Sequence, residues 1–256
     1  MIDERAIIHP TAKIAADVAI GPWTIIGEHV EIKAGTSIGP HVVIKKHTKI
    51  GYNNQIYQFA SLGEDPQHSG YRQEETWLEI GDNNIIREFC SLNRGTPQGR
   101  GVTQMGDDNF LMTYVHIAHD CQVKNNTIFV NNASIAGHVI VDDFATIGGF
   151  VGVHQFCKVG AYSFTSKAAM VVQDVLPYVL VSGNSATTSG LNLVGLKRHG
   201  FSEETIRNLR RAYNIIYRRN LPVKQAIEEL RSLLDECPEV QRFIDALQDA
   251  PRGVVR

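Results

Sequence analysis

Aliphatic residues recur at every sixth position along most of this chain. They fall at Ile8, Ile14, Ile20, Ile26, Ile32, Ile38, Ile44, Ile50, Ile56 and Leu62. After a pause the count resumes at Ile80, Ile86 and Leu92, and pauses again. It then runs from Met105 through Leu111, Ile117, Val123, Phe129, Ile135, Val141, Ile147, Val153 and Val159 to Val171, missing only at Thr165. An α-helix repeats every 3.6 residues and a strand every 2, so neither produces this spacing. A sustained hexapeptide period is the pattern of a parallel β-helix. If three hexads close one coil, residues 18 apart stack on one face, and every residue acquires an address.

The other places in the hexad fit that reading. With the aliphatic residue as place one, place five holds mainly small residues such as Ala12, Val18, Thr24, Val30, Ala133 and Ala145. Cys90, Cys121 and Cys157 also stand there, which makes them small core residues rather than ligands or disulfide partners. Places two and four are rich in Gly, Asn and Asp, as corners with unusual backbone angles require. Residues 8–175 make about eight coils, a prism about 40 Å long at the ~4.8 Å inter-strand spacing. The two pauses, loops 63–79 and 94–104, hold Pro66, His68 and Gly70, and Gly95, Gly99 and Gly101. Loops inserted in a solenoid project from one face, often the binding face.

Pro177 and Gly183 mark a change of period. Ser202 can cap a helix with Glu203 and Glu204 in its first turn. Ile206, Leu209, Tyr213 and Ile216 then form one apolar stripe. Val223, Ile227, Leu230 and Leu234 form a second after Pro222, and Val240, Phe243, Ile244 and Leu247 a third after Pro238. The fold expected is mainly β: a parallel β-helix over 1–185, followed by a small C-terminal α-helical region over 186–256 whose two or three helices pack on the last coils. Lys197 to Arg219 carries seven Lys or Arg and two Glu. That stretch is either a solvated outer face or a landing surface for an acidic partner.

Bulk numbers narrow the function. The 256 residues carry a net charge of −2, which gives no electrostatic footprint for a nucleic-acid partner. No apolar run approaches the length of an integral membrane segment, and the opening Met-Ile-Asp-Glu-Arg is too charged for a secretory signal. A cytoplasmic protein is expected.

Ten histidines are scattered through the chain. Subtracting 18 gathers several of them. His119, Gly137 and Gln155 share one address; Asp120, His138 and Phe156 share the next. His154 adjoins Gln155, and His116 precedes His119 by three residues. One polar patch is therefore expected from His116, His119, Asp120, Gly137, His138, His154 and Gln155. A histidine oriented by Asp120, with a Gly137 N–H as oxyanion donor, suits acyl transfer to a hydroxyl or amine. Three histidines could instead hold zinc and leave a position for water, as in gamma-class carbonic anhydrases. Spacing alone leaves both chemistries open.

Longer stretches are more specific. They are His116-Ile-Ala-His119-Asp120-Cys121, Asn131-Asn132-Ala133, Ala136-Gly137-His138-Val139, Val153-His154-Gln155-Phe156-Cys157, Ile56-Tyr57-Gln58-Phe59-Ala60-Ser61 and Gly195-Leu196-Lys197-Arg198. Together they resemble the UDP-N-acetylglucosamine acyltransferases that begin lipid A biosynthesis, and the resemblance spans essentially the whole chain. It implies a left-handed β-helix and a homotrimer with sites between subunits. The implied reaction moves a 3-hydroxyacyl group from acyl carrier protein to the 3-position of UDP-N-acetylglucosamine or a 3-amino analogue. The carrier's phosphopantetheine thioester is a co-substrate, and no other cofactor or metal is implied. By resemblance His119 is the general base, Asp120 its partner and the Gly137 N–H the oxyanion donor. Gln67, His68, His116, His138, His154, Gln155, Asn192 and Arg198 match substrate-binding positions, and the basic stretch matches a surface for the acidic carrier protein.

This chain also departs from the family pattern. His68 and Gly70 stand where an Asp and a Lys are usual in the first loop. Val194 and His199 replace a Glu and an Arg near Arg198, and Asn93 replaces a frequent His. Lys167 replaces a glycine at the far end of the acyl groove, which makes it the candidate determinant of acyl-chain length. The catalytic patch is thus expected intact, with altered pockets around it.

Overall fold

The computed structural model describes residues 1–256. The hexads close into a left-handed parallel β-helix, and its walls are three parallel sheets. The first wall has nine strands, from Ile7–Ile8 to Met170–Val171; the second has eight, from Lys13–Ile14 to Lys158–Val159. The third has ten and starts at Ala19–Ile20. Registers such as Ile7↔Ile25, His116↔Ser134 and Ser134↔Gly152 confirm the 18-residue coil. The first wall has nine strands for about eight coils because the repeat both opens and closes on it, at Ile7–Ile8 and Met170–Val171, while the Ile2–Ile20 bridge and the Phe164–Leu180 pairing extend the third wall.

Place one points inward: Ile26, Ile44, Leu62, Leu92, Ile117, Ile135 and Val153 are all buried on the first wall. Place five also points inward, and the three hexad cysteines are buried free thiols there. At one corner, however, place five is a polar ladder. Asn84 donates from its side chain to Asn54 Oδ1 at 3.0 Å and to the Gly106 carbonyl at 2.9 Å. Its own Oδ1 accepts from the Asn109 N–H at 2.9 Å. The buried amides tie three coils together at a place expected to take small inward residues, Asn among them.

Place four takes the left-handed backbone conformation throughout the solenoid, as at Asn53, Asp108, Asp120 and His138. Asn and Asp were expected there, yet aromatic rings hold several of these corners. They are compensated by stacking: His41, Phe59, Phe89 and Tyr114 form a column with successive centroid distances of 5.4, 5.1 and 4.8 Å. An aromatic pair contributes about 0.5–1.5 kcal/mol, comparable to the strain of a non-glycine residue in this region.

The last wall ends in an antiparallel hairpin, Val179–Ser182 with Thr187–Leu191, so position 185/186 falls in its turn. Four helices follow: α1 (Leu193–Arg198), α2 (Glu203–Arg218), α3 (Val223–Arg231) and α4 (Gln241–Gln248). Ser202 caps α2 by accepting from the Thr205 N–H, and Ile206, Leu209, Tyr213 and Ile216 are buried along it. Leu234 lies past the end of α3, in a turn. The short α1 was not anticipated, because its six residues show no apolar period. Tyr178 of the final coil donates to the Glu239 carbonyl at 3.1 Å and packs edge-on against Phe243. One continuous core therefore runs from the coils into the helices.

The asparagine ladder yields a stability prediction. Asn84→Ala leaves the Gly106 carbonyl and the Asn109 N–H buried without their partners. Each such orphan costs about 1–3 kcal/mol, so denaturant unfolding of the variant should show a loss of at least about 2 kcal/mol. A midpoint equal to wild type would mean that water replaces the ladder.

Candidate active site

The polar patch forms where the first wall turns into the second. His116 lies in the strand His116–Ile117, and His119 and Asp120 occupy the corner that follows. The next coil places Gly137 and His138 directly beneath, and the His138 N–H donates to the His119 carbonyl at 3.0 Å. The Phe156 N–H likewise donates to the Gly137 carbonyl at 3.1 Å. A Cβ on Gly137 would stand 2.6 Å from His119 Cε1, so only glycine lets the ring lie over that backbone. The Gly137 N–H has no acceptor within the chain, and it is the corner amide beneath the His119 ring.

His119 Nδ1 donates to Asp120 Oδ2 at 2.8 Å, with the imidazole 12% exposed and the carboxylate fully buried. This bond fixes the tautomer and leaves the Nε2 lone pair free. His138 approaches the same carboxylate with Nε2 at 3.8 Å, and its ring stands edge-on to His119 at 5.2 Å. His116 Nδ1 and Ser91 Oγ share a 2.8 Å hydrogen bond. Burial pushes the His116 and His138 pKa values down, and the neighbouring His119 adds to both shifts. Both rings are therefore held toward the neutral form beside His119. Asp120 moves the other way. Burial pushes its carboxyl up, but hydrogen bonds from His119, Thr96 and Arg100 outweigh it and bring the pKa to about 2.

Both interruptions close over this corner. The first carries His68 to the site, where its ring meets His119 edge-on at a centroid distance of 5.6 Å. Gly70 is tied to His68 by an N–H to Nδ1 bond of 3.2 Å, and a Cβ at 70 would strike that ring. Gln67 is exposed beside it. The second loop was expected to project outward. Instead its first half, Asn93 to Thr96, is buried. Thr96 donates to Asp120 from both its N–H and its hydroxyl.

Other expected residues lie elsewhere. His154 and Gln155 sit one coil further on, exposed; His154 Nδ1 contacts the Gln155 carbonyl at 3.1 Å, and neither touches the His119 cluster in one chain. Lys167 is exposed at the corner between the third and first walls. Asn192, Arg198 and His199 lie near the corner between the second and third walls, where His199 packs on Phe144 and Tyr162. The Asn192 amide is engaged within the chain: Nδ2 donates to the Tyr162 carbonyl at 2.9 Å and Oδ1 accepts from Gly195 N–H at 3.1 Å, capping α1. Val194 is 63% exposed. On the basic stretch, Lys197, Arg207, Arg211 and Arg219 pair with glutamates, while Arg198, Arg210 and Arg218 remain exposed without a carboxylate partner.

The geometry also weighs on the zinc alternative. The ligand atoms that converge within 4.8 Å come from His119, Asp120 and His138, not from three histidines. The Asp120 oxygens are already occupied by four donor groups, and the His116 Nδ1 is committed to Ser91. A three-histidine zinc set is not what this corner presents.

Ser91, Thr96, Arg100 and Thr103 escaped the sequence reading. Each is separated from the patch by an insertion, so an 18-residue offset does not reach it. The glycines of the second loop were the available signal.

The Asp120 pKa gives a pH prediction. A carboxyl held at about 2 in the fold, against about 3.9 unfolded, stabilises the fold above pH ~5 and loses that contribution as pH falls toward 2, about 2 kcal/mol in all. The difference in unfolding free energy between wild type and Asp120→Asn should therefore shrink by about that amount from pH 6 to pH 2. Parallel curves at all pH values would contradict the assignment.

The family model described as Udp N-acetylglucosamine O-acyltransferase, Domain 2, matches residues 174–255. A relative from Thiobacillus denitrificans named acyl-[acyl-carrier-protein]–UDP-N-acetylglucosamine O-acyltransferase is 52% identical, covering 100% of this chain and 99% of its own length. A protein of the same name from Pseudomonas aeruginosa is 50% identical with the same coverage. Among solved structures, LpxA from Acinetobacter baumannii superposes with a TM-score of 0.98 at 50% identity, covering 100% and 99% of the two chains. The Arabidopsis UDP-N-acetylglucosamine acyltransferase superposes with a TM-score of 0.86 at 32% identity over the full length of both.

Proposed function

The chain belongs to the UDP-N-acetylglucosamine O-acyltransferase family, and we propose that His119 is the base with which it performs that family's reaction. It transfers a 3-hydroxyacyl group from acyl carrier protein to UDP-N-acetylglucosamine, the first step of lipid A biosynthesis. The observation that supports the role of His119 is its orientation: Nδ1 donates to Asp120, while the ring lies over the unpaired Gly137 amide.

The step follows from that arrangement. The sugar 3-hydroxyl gives its proton to His119 Nε2 as its oxygen attacks the thioester carbonyl. The developing oxyanion accepts from the Gly137 N–H, and the buried Asp120 carboxylate offsets the imidazolium charge. Collapse of the tetrahedral intermediate breaks the C–S bond. The phosphopantetheine thiolate then takes the proton from His119, and base and donor return to their starting state. His116 and His138, held toward neutral, line the site without adding positive charge that would compete with the imidazolium.

The complete site spans more than one subunit in this reading. The catalytic cluster, Lys167 and the Arg198 region occupy three different corners of the prism, and one chain cannot bring them together. A closed cyclic homotrimer places one copy's corners beside another's. His154, Gln155, Lys167 and Arg198 then act from positions facing a neighbour's His119, and the exposed Arg210 and Arg218 offer the acidic carrier protein a landing surface. The protein works in the cytoplasm, where its carrier-protein donor is made.

Two outcomes follow. His119→Ala should lower kcat by about 10²–10⁴ without loss of folding; a near wild-type kcat in the purified, folded variant would remove His119 from the base role. Lysine at 167 fills with its stem the volume that a glycine leaves to the acyl chain. Each buried CH₂ contributes about 0.8 kcal/mol, so a groove two carbons shorter shifts donor preference about tenfold. Lys167→Gly should lengthen the preferred 3-hydroxyacyl chain in competition between acyl carrier proteins. Identical donor rankings would separate Lys167 from chain-length selection.

A further inference from the structure

Two carboxylates of the coils are buried, Asp120 and Asp174; Asp174 accepts from the Lys158 N–H alone, while Asp120 is held by a loop. The corner acids Asp82, Asp107 and Asp108 are exposed or half-exposed, whereas Asp120 is 1% exposed and enclosed by residues 96–103. Thr96 N–H lies 3.1 Å from both carboxylate oxygens, and Thr96 Oγ1 donates to Oδ2 at 2.7 Å. The Arg100 N–H donates to Oδ1 at 2.9 Å. Thr103 Oγ1 accepts from the Asp120 N–H at 2.8 Å, so the backbone of the acid is tied as well as its side chain.

The loop is shaped for this contact. A Cβ on Gly99 would stand 2.4 Å from Asp120 Cγ, so the loop backbone lies directly against the carboxyl and tolerates no side chain there. The Gly99 and Gly101 N–H groups both donate to the Thr96 carbonyl, at 3.1 and 3.0 Å, which curls the loop around Thr96. Gly99 N–H also reaches Thr96 Oγ1 at 3.2 Å, so the hydroxyl accepts from the loop while it donates to Asp120. Thr96 is itself 1% exposed. The loop is anchored by Arg94, fully buried, whose guanidinium bonds the Gly63 carbonyl, Asp65 and the Tyr71 hydroxyl of the other loop.

We propose that loop 94–104 is a carboxylate clamp, in which Thr96 and the Arg100 amide act as positioning residues that hold Asp120, and through it the His119 ring, in the orientation acyl transfer requires. The proposal rests on the reading of His119 as the base. A carboxylate with free rotation about its last bond would present either oxygen, or neither, to Nδ1. The Thr96 hydroxyl and Arg100 amide select one plane, and in that plane Oδ2 faces the ring. The clamp also spreads the carboxylate charge over several donors, so that Asp120 orients the imidazole without holding its proton too tightly for return to the leaving thiolate. The other groups facing the ring, His116, His138 and His68, are histidines and cannot supply that negative charge.

The test uses the full-length enzyme with Thr96→Val, Thr96→Ala and Thr96→Ser, and His119→Ala as reference. Valine and alanine remove the hydroxyl and keep the backbone donor; serine keeps both. Thr96→Val and Thr96→Ala should lower kcat about tenfold, the equivalent of losing one hydrogen bond to a charged group. The KM for UDP-N-acetylglucosamine should stay within about twofold, since ground-state binding is untouched. The acid limb of the kcat/KM profile should move to higher pH, because a carboxylate with one donor fewer holds the imidazolium more tightly. Thr96→Ser should recover most of kcat and the original profile. The clamp is overturned if the valine and alanine variants match wild type in kcat and pH profile while His119→Ala is inactive. It is equally overturned if serine is as impaired as valine, which would assign Thr96 to packing. An active His119→Ala would instead bring down the base assignment itself. Because alanine adds no bulk, misfolding of the valine variant leaves the comparison intact.

Discussion

The inter-coil hydrogen-bond ladder is the constraint on which everything else in this molecule depends. Each coil must return its chain to the same place 18 residues later, because its amides bond to the carbonyls of the coil beneath. That demand fixes three corners per coil, and each corner requires a residue in left-handed backbone geometry, as at Asn53, Phe89 and Asp120. It also fixes which positions face inward, and hence the six-residue aliphatic period. Burial of the place-one and place-five side chains supplies the apolar drive, while the ladder supplies the register. The catalytic corner inherits that precision. His119 lies over Gly137 because the ladder puts it there, and glycine at 137 is what the ring requires.

A strictly periodic solenoid offers only shallow corners, and deep burial of a charged group calls for something more. Here the two interruptions supply it. The first brings His68 against His119; the second wraps Asp120. Arg94 links them, a buried guanidinium whose partners Gly63, Asp65 and Tyr71 all belong to the first loop. Burying such a charge is costly unless its donors are met, so the two loops are held to each other by the penalty of separating them. The site is thus assembled where the repeat breaks, on a frame that exists because the repeat is elsewhere unbroken.

This explains what could be seen in the sequence and what could not. The fold was legible from Ile8 to Val171 because the side-chain period and the spatial period are the same number. His119, Gly137 and Gln155 fell into one column by subtraction, since residues 105–171 contain no insertion. The same subtraction fails for Ser91, Thr96 and Arg100, which reach the site across breaks of irregular length. Asn54, Asn84 and Asn109 stand at place five, which the hexad pattern already read as inward, but their hydrogen-bonded ladder was hidden because only the neighbouring carbonyls and amides show which partners they take. Helix α1 lacks an apolar period, and nothing local signals that Asn192 caps it with both ends of its amide engaged.

The departures from the family pattern leave His119, Asp120 and Gly137 themselves unchanged, although one of them, His68, packs against His119. His68 and Gly70 belong together, since the glycine amide supports the histidine ring and any side chain at 70 would displace it. His199 likewise fits between Phe144 and Tyr162, a niche an extended guanidinium would fill differently. Asn93 donates to the Asp65 carbonyl at 2.8 Å and so helps to seal the loops over Asp120. His68, Gly70, Asn93 and His199 are each matched by a local partner, while Lys167 and Val194 are exposed. By contrast His119, Asp120 and Gly137 have no slack: the ring excludes a side chain below, and the carboxylate has donors on both oxygens. The surrounding positions can therefore change residue while the His119–Asp120–Gly137 geometry stays fixed by the loop 94–104 contacts and the coil.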